Sequence, residues 1–234
     1  IKFLDFGPTS VRSQRAATPL RKVVTDSGVN AHSIRALLAT LVHDLLPRIY
    51  FVRPSDKGSW HFLKHWIPPA DDEIEKQENI KKQKEVFISQ INLAKKYKKP
   101  LIVHIREASN DSREILEKYA SKDLGGVLHC FNASPHLLPL ADMNFYFGIG
   151  GVVTFKNAKK LIDILPLIPK EKLLIETDAP YLTPHPFRGV RNEPYYTIYV
   201  AQKMAEILNM SYEEIQSITT NNAKNLFKEF SNIS

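Results

Sequence analysis

The chain has 234 residues, of which 43% are hydrophobic, and this suits one large domain with a substantial core over residues 1–234. No apolar run approaches the roughly 20 residues that a membrane-spanning helix needs, so no membrane association is predicted. Cys130 is the only cysteine, which excludes an internal disulfide and favours a reducing, cytoplasmic location.

Positive charge is concentrated in the first part of the chain. Lys and Arg number 32 against 25 Asp and Glu, a formal net charge of +7, and residues 1–69 contribute most of the excess. A basic region of this kind is typical of proteins that bind polyanions such as nucleic acid. A solvated, lysine-rich surface explains the same count, and charge alone favours that simpler interpretation.

The first 70 residues carry weak periodicity, whereas apolar runs and amphipathic segments alternate clearly from residue 72 onwards. In the front part we predict strands at residues 1–6 and 48–52 and a helix at residues 31–46. Further along, strands are predicted at residues 101–105, 127–131, 145–149 and 173–177. Helices are predicted at residues 72–98, 110–121, 134–140, 155–165, 194–208, 211–217 and 221–230. Near-continuous apolar strands, each followed by a helix, predict a parallel sheet that is buried on both faces.

Two helix starts carry capping signals. Asn192 precedes Pro194 in a cap-then-proline pattern. Ser211, with Glu214 three residues later, has the spacing of a capping box.

Three of the predicted strands end in a side chain that can bind a metal ion: His104, His129 and Asp178. Functional groups of parallel α/β proteins lie at the carboxyl ends of the strands, so these three are expected to meet. Imidazole and carboxylate suit Zn²⁺ and Mn²⁺, and carboxylate suits Mg²⁺. A water activated by such a cation is a nucleophile, and Asp178 is a candidate general base for it. Taken singly, a histidine in a strand is more often a hydrogen-bonded core residue.

Further polar residues surround these strand ends. Glu107 and Glu176 are each either a metal ligand or a residue that orients one, although Glu107 could simply begin a helix. The proline-rich loop after Asp178 carries Arg188 and Arg191, which suit a phosphate but are ordinary surface residues if taken alone.

Several longer motifs resemble the TatD family of metal-dependent deoxyribonucleases. The resemblance covers about residues 80–230, and its motifs are PLIVHIREASNDSREIL (100–116), GGVLHCFNASP (125–135), FYFGIGGVVTFKNA (145–158), LLIETDAPYLTPHPFRGVRNEP (173–194) and TTNNAKNLF (219–227). It implies a TIM-type (β/α)₈ barrel of the metallo-dependent hydrolase superfamily, with an irregular or incomplete front half. It also implies DNA as substrate and two divalent cations, Mg²⁺, Mn²⁺ or Zn²⁺, at the carboxyl face of the barrel.

The same resemblance assigns roles to individual residues. His104 and His129 match metal ligands, and Asp178 matches a ligand that also serves as the base. Glu107, Asn192 and Glu193 fall in motifs around the site as candidates for substrate binding or for orienting a ligand.

The front of the chain departs from the family pattern. The His-x-His pair of the first strand is absent from the sequence, and no Glu precedes Glu73 to bridge two cations. Divergence, missing segments or a misassigned sequence would each account for this. The remaining ligands predict one weakly held cation, because two-metal catalysis needs a bridging carboxylate.

Three functions therefore stay open. The first is a deoxyribonuclease that uses a metal-activated water. The second is a catalytically impaired barrel that binds nucleic acid or a protein partner. The third is a metal-dependent hydrolase of another ester or amide, because one fold serves many chemistries. The sequence makes no prediction about the oligomeric state.

Overall fold

The computed structural model describes residues 48–52 and 73–228. Five strands are present there: β1 Arg48–Val52, β2 Leu101–Arg106, β3 Gly126–His129, β4 Phe145–Ile149 and β5 Leu173–Ile175. Five α-helices accompany them: α1 Glu73–Tyr97, α2 Ser109–Tyr119, α3 Lys159–Ile164, α4 Thr197–Leu208 and α5 Tyr212–Leu226. The strand at 48–52 is confirmed, whereas the predicted elements at 1–6 and 31–46 lie outside the described residues.

All neighbouring strands are parallel, and their order in the sheet is their order in the chain. A doubly wound sheet reverses its strand order at a switch point, and no reversal occurs between β1 and β5. A progression without reversal, with helical crossovers, is the wall of a (β/α) barrel. The predicted parallel α/β architecture is therefore confirmed for these strands.

The larger hydrophobic core lies between the sheet and the helices. Phe87 and Ile91 of α1, Leu116 of α2 and Met204 of α4 are at most 1% exposed, and they belong to one cluster with Phe147 of β4. Each such side chain contributes roughly 1.5–3 kcal/mol of burial free energy. This layer fixes the helices on the outside of the sheet.

A smaller apolar cluster lies on the opposite face of the sheet. Its members come from four strands and from the end of α5: Ile102, Val127, Tyr146, Leu174, Leu226 and Phe227. Successive strand residues alternate between faces, so positions two residues further along share this inner face. Those positions are occupied by His104, His129, Gly148 and Glu176. The inner face thus changes from apolar to polar towards the carboxyl ends of the strands.

Two strands are shorter than their apolar runs predicted. β3 ends at His129 and β5 at Ile175, two residues before the predicted ends. Cys130 has a left-handed backbone conformation with φ of 49°, which is incompatible with a continuing strand.

Several helices also differ from the prediction. Residues 211–217 and 221–230 were predicted as separate helices, but a single helix, α5, runs from Tyr212 to Leu226. The residues between the two predicted helices stay helical, and within the helix Thr219 Oγ1 donates to Ile215 O at 2.8 Å. The segment predicted as a helix at 134–140 is a 3₁₀ helix, Pro135–Met143, with Pro139 inside it. Proline lacks an N–H donor, which disfavours a regular α-helix there.

The capping box at α5 is confirmed. The Glu214 backbone N–H donates to Ser211 Oγ at 3.1 Å, and the Ser211 backbone N–H donates to Glu214 Oε2 at 2.7 Å. Among the helices described, none is long and apolar enough to cross a bilayer.

Candidate metal centre

His129 lies between two carboxylates at the carboxyl end of the sheet. Its Nδ1 is 2.9 Å from Glu176 Oε2, and its Nε2 is 3.2 Å from Asp178 Oδ1. The His129 side chain is 5% exposed, against 27% for Asp178. One ring nitrogen therefore faces a buried carboxylate and the other faces a carboxylate that reaches solvent.

His104 stands next to His129 because the two residues are paired in the register of β2 and β3. The ring centroids are 5.6 Å apart and the planes are inclined by 48°. The three side chains predicted from strand ends, His104, His129 and Asp178, are thus brought together in one place.

The two histidines have opposite electrostatic environments. Burial lowers the pKa of His104 and the neighbouring His129 lowers it further, to about 4, although Asp178 and Glu176 act in the other direction. Burial is also the largest single influence on His129, but the two carboxylates together outweigh it and raise the pKa of that ring to about 10. His104 is therefore neutral near pH 7, and a cation that binds at His129 has to displace a proton.

Cys130 follows His129 directly in the chain. Burial raises the pKa of its thiol far above the ordinary value, and the charges of Glu176 and Asp178 raise it further. The thiol stays protonated, so Cys130 is a poor thiolate ligand and a poor nucleophile.

The donor atoms present are of types that bind divalent cations. One pair of them also has a separation that suits a shared cation. Two imidazoles and a carboxylate are a suitable set for Zn²⁺ or Mn²⁺. Two atoms bound tetrahedrally at about 2.1 Å lie roughly 3.4 Å apart, close to the 3.2 Å between His129 Nε2 and Asp178 Oδ1. Within residues 48–52 and 73–228, however, no group of three or more His, Cys, Asp or Glu side chains is placed so that it could hold a metal ion by itself. This part of the chain supplies a partial ligand set.

A cavity of about 940 Å³ opens at this site, with His104 and Asp178 in its wall. Arg106 and Lys160 bring positive charge to the same wall. Neither residue was predicted from the sequence as part of the site. Arg106 could have been predicted from the sequence, because it follows His104 by two positions on one strand and so lies on the same face. Lys160 of α3 could not, because only the tertiary fold brings it to the cavity.

Glu107 also lines the cavity, just after the end of β2. Its side chain is exposed, and its backbone has a left-handed φ of 54°. Its predicted role near the metal stays a prediction.

The two arginines of the loop after β5 are held away from the cavity lining. The Arg188 guanidinium stacks over the Phe155 ring at 3.8 Å, and its Nη1 donates to Thr183 O at 2.9 Å. Arg191 Nε lies 3.4 Å from Glu193 Oε1 in an ion pair whose side chains are 78% and 54% exposed. These contacts shape the loop, and phosphate binding by Arg188 and Arg191 stays a prediction.

Asn192 was predicted as a helix cap, and this is wrong. A 3₁₀ helix, Pro194–Tyr196, begins after Glu193 with no side-chain cap. Asn192 is 2% exposed, and its Nδ2 donates to Tyr181 O at 2.6 Å while its backbone N–H donates to Pro180 O at 3.0 Å. The side chain is used to close the loop that follows Asp178.

Comparison with known proteins places this site in a family. A family model described as TatD related DNase matches residues 70–228, which include His104, His129 and Asp178. The chain belongs to the TatD-related DNase family. The resemblance predicted from the motifs is thereby confirmed.

Bacterial relatives of this TatD-related chain are named as hydrolases. "Uncharacterized metal-dependent hydrolase YabD" of Bacillus subtilis (strain 168) is 53% identical over 147 residues, which are 62% of this chain and 58% of the relative. "Uncharacterized metal-dependent hydrolase TatD" of Mycobacterium tuberculosis (strain H37Rv) is 41% identical over 146 residues, which are 62% and 55% of the two chains. The chain thus spans less than two thirds of the length of these relatives.

A solved structure supports the barrel fold. The crystal structure of YJJV, a TatD homologue from Escherichia coli K12, matches with a TM-score of 0.64 at 23% identity, over 96% of this chain and 95% of that one. At this identity the likeness establishes the fold alone, and it agrees with the predicted TIM-type barrel.

Proposed function

We propose that this TatD-related protein is a metal-dependent deoxyribonuclease that hydrolyses DNA phosphodiester bonds. The observation that carries the proposal is the position of His129, which is held on one side by buried Glu176 and presents Nε2 to Asp178 at the wall of a cavity. The description of the matching family model supports a deoxyribonuclease, and the names of the relatives support a metal-dependent hydrolase.

Each residue of the site would have a different role in hydrolysis. His104, His129 and Asp178 would hold the divalent cation, as their donor types allow. When bound, the cation supplies a Lewis acid for a phosphoryl oxygen and lowers the pKa of water towards neutrality. Asp178, which is partly exposed at the cavity wall, accepts the proton of the attacking water. Neutral His104 keeps a ring-nitrogen lone pair available for the cation at neutral pH.

The substrate would be held by positive charge in the cavity wall and by exposed aromatic side chains in the segment that follows Asp178. Arg106 and Lys160 in the wall suit the phosphate oxygens of the DNA backbone. Tyr181 and Tyr195, which are 72% and 54% exposed, lie in and just after the loop that follows Asp178 and offer surfaces for bases.

The deciding experiment is a cleavage assay on the full chain. Single-stranded and duplex DNA are incubated with Mg²⁺ or Mn²⁺, with and without EDTA, for the wild type, Asp178→Ala and Asp123→Ala. We expect cleavage that needs the metal, and a loss of about 10²–10⁴-fold in Asp178→Ala, as for removal of a general base. Asp123 is exposed after α2, and its variant should cleave like the wild type.

Each other result has a defined meaning. Cleavage that persists in Asp178→Ala would refute the assigned site. DNA that is retained on a gel but not cut by the wild type would favour a binding barrel. Absence of both would favour another ester or amide as substrate. Elemental analysis of protein purified without chelator tests the ligand set independently of DNA.

A further inference from the structure

Both oxygens of the Glu176 carboxylate are used by donors of the protein. Oε2 lies 2.9 Å from His129 Nδ1, and Oε1 accepts a hydrogen bond from the Cys130 backbone N–H at 2.5 Å. Glu176 is only 9% exposed. A carboxylate whose two oxygens are engaged in this way orients the histidine and leaves little capacity to bind a cation itself.

The space for this carboxylate exists because residue 148 is a glycine. A Cβ atom at Gly148 would lie 2.1 Å from Glu176 Oε2 and 2.7 Å from its carboxyl carbon, so any side chain there would displace the acid. Gly150, two residues further on, differs: a Cβ there would be 3.6 Å from Glu176 Cγ, an ordinary contact. Of these two glycines, therefore, only Gly148 leaves no room for a side chain beside Glu176.

We propose that Gly148 and Glu176 are positioning residues for the metal site. The gap at Gly148 in β4 seats the Glu176 carboxylate, and the carboxylate fixes the His129 ring with Nδ1–H inward and Nε2 towards Asp178 and the cation. This inference rests on the proposed function only in that His129 binds a cation through Nε2.

The chemistry of the two donors explains why an acid stands at position 176. The His129 Nδ1–H and the Cys130 N–H converge on one side chain, which must accept at two atoms. A carboxylate accepts at both oxygens, whereas an amide offers one acceptor and one donor group. Glutamine at this position would therefore release either the ring or the amide N–H. Carboxylates that hold the far nitrogen of a ligating histidine also raise its basicity as a ligand.

The test compares cation affinity in four full-length proteins: wild type, Gly148→Ala, Gly150→Ala and Glu176→Gln. Each is titrated with Zn²⁺ and Mn²⁺ against a chromophoric chelator, and its fold is checked by circular dichroism. We expect Gly148→Ala and Glu176→Gln to bind about 10–100-fold more weakly, as for loss of a partner that orients a ligand. Gly150→Ala should keep the wild-type affinity.

A second readout follows the histidine itself. In protein with ¹⁵N-labelled histidine, the wild type loaded with Zn²⁺ should show a hydrogen-bonded Nδ1–H proton for His129. The signal should be lost or shifted in Gly148→Ala and Glu176→Gln and retained in Gly150→Ala. A merely structural role for the glycine would weaken the fold without this selective change at one ring nitrogen.

The outcomes separate this inference from the proposed nuclease function. Wild-type affinity in a folded Gly148→Ala variant, or in Glu176→Gln if Gly148→Ala does not fold, would overturn the inference. A wild type that binds neither cation would overturn it as well. Cation binding with the expected loss in the variants, but without DNA cleavage by the wild type, would leave the inference standing and contradict only the nuclease function.

Discussion

At the scale of single residues, side chains of the same type have different electrostatic environments in the site. His104 is kept neutral by burial and by the positive ring beside it, while His129 is held by two carboxylates. Charge is also distributed unequally in the wall of the cavity, where Lys160 lies on the lining and its neighbour Lys159 does not. This adjacent pair allows the contribution of cavity charge to be tested.

The first prediction is that Lys160→Ala weakens DNA binding and lowers its salt dependence. Each lysine that contacts a phosphate releases about one counterion on binding. Removing Lys160 should therefore make the slope of log K against log salt less steep by roughly 1. Fluorescence anisotropy with labelled DNA at several salt concentrations measures both quantities. Lys159→Ala removes the same charge outside the cavity lining, and an equal loss in both variants would show that only net charge matters.

The contacts between residues set a limit on what could be predicted from the sequence. His104, His129 and Asp178 were predictable because each ends an apolar run, and parallel strands bring such ends together. The contact between His129 and Glu176 joins residues 47 positions apart and depends on the missing side chain of Gly148. A glycine in a strand has many explanations, and only the fold selects this one.

At the scale of secondary-structure elements, α5 is fastened to β5 just before the site. Asn222 is 4% exposed, and its Nδ2 donates to Lys170 O and Leu173 O, both at 2.8 Å. The sequence could not predict this contact, since its acceptors lie 52 and 49 residues away.

The second prediction is that Asn222→Ala destabilises the protein by about 1–3 kcal/mol. Its loss leaves the buried Leu173 carbonyl without this donor, and an unsatisfied buried group costs about this much. The free energy of unfolding from urea titration measures the effect. Asn221→Ala changes the exposed neighbour and should alter the free energy of unfolding little. Equal effects of the two substitutions would point to helix propensity as the cause.

The third prediction concerns the pH dependence of the capping box. Hydrogen bonds from the Ser211 backbone N–H and side chain hold the pKa of Glu214 below its ordinary value of 4.5. A group with a depressed folded-state pKa stabilises the fold above its unfolded pKa, and this contribution is lost as the pH falls through the folded-state value.

Unfolding free energies of the wild type and Glu214→Gln should therefore differ at neutral pH and converge in acid below pH 4.5. Glu213→Gln, which leaves the capping box intact, is the control. A difference between the wild type and Glu214→Gln that does not change with pH would contradict the assigned cause.

At the scale of the whole molecule, the candidate metal site joins elements that are far apart in the chain. His104 comes from β2, His129 from β3 and Asp178 from the loop after β5. The parallel order of the sheet could be predicted from alternating apolar runs and helices, and it creates this convergence. A ligand that binds these residues only when they are assembled must stabilise the folded state.

The fourth prediction is that a divalent cation raises the unfolding temperature of the full chain. Binding at 100 times the dissociation constant adds about 2.7 kcal/mol, and a chain of this size gains roughly 2–4 °C per kcal/mol. Differential scanning fluorimetry with Zn²⁺, Mn²⁺ or Mg²⁺ against EDTA should therefore show a shift of about 5–10 °C for the preferred ion. Asp178→Ala should lose most of the shift and Asp123→Ala should keep it. An unfolding temperature that no saturating cation changes would contradict a metal site at His104, His129 and Asp178, whatever the activity on DNA.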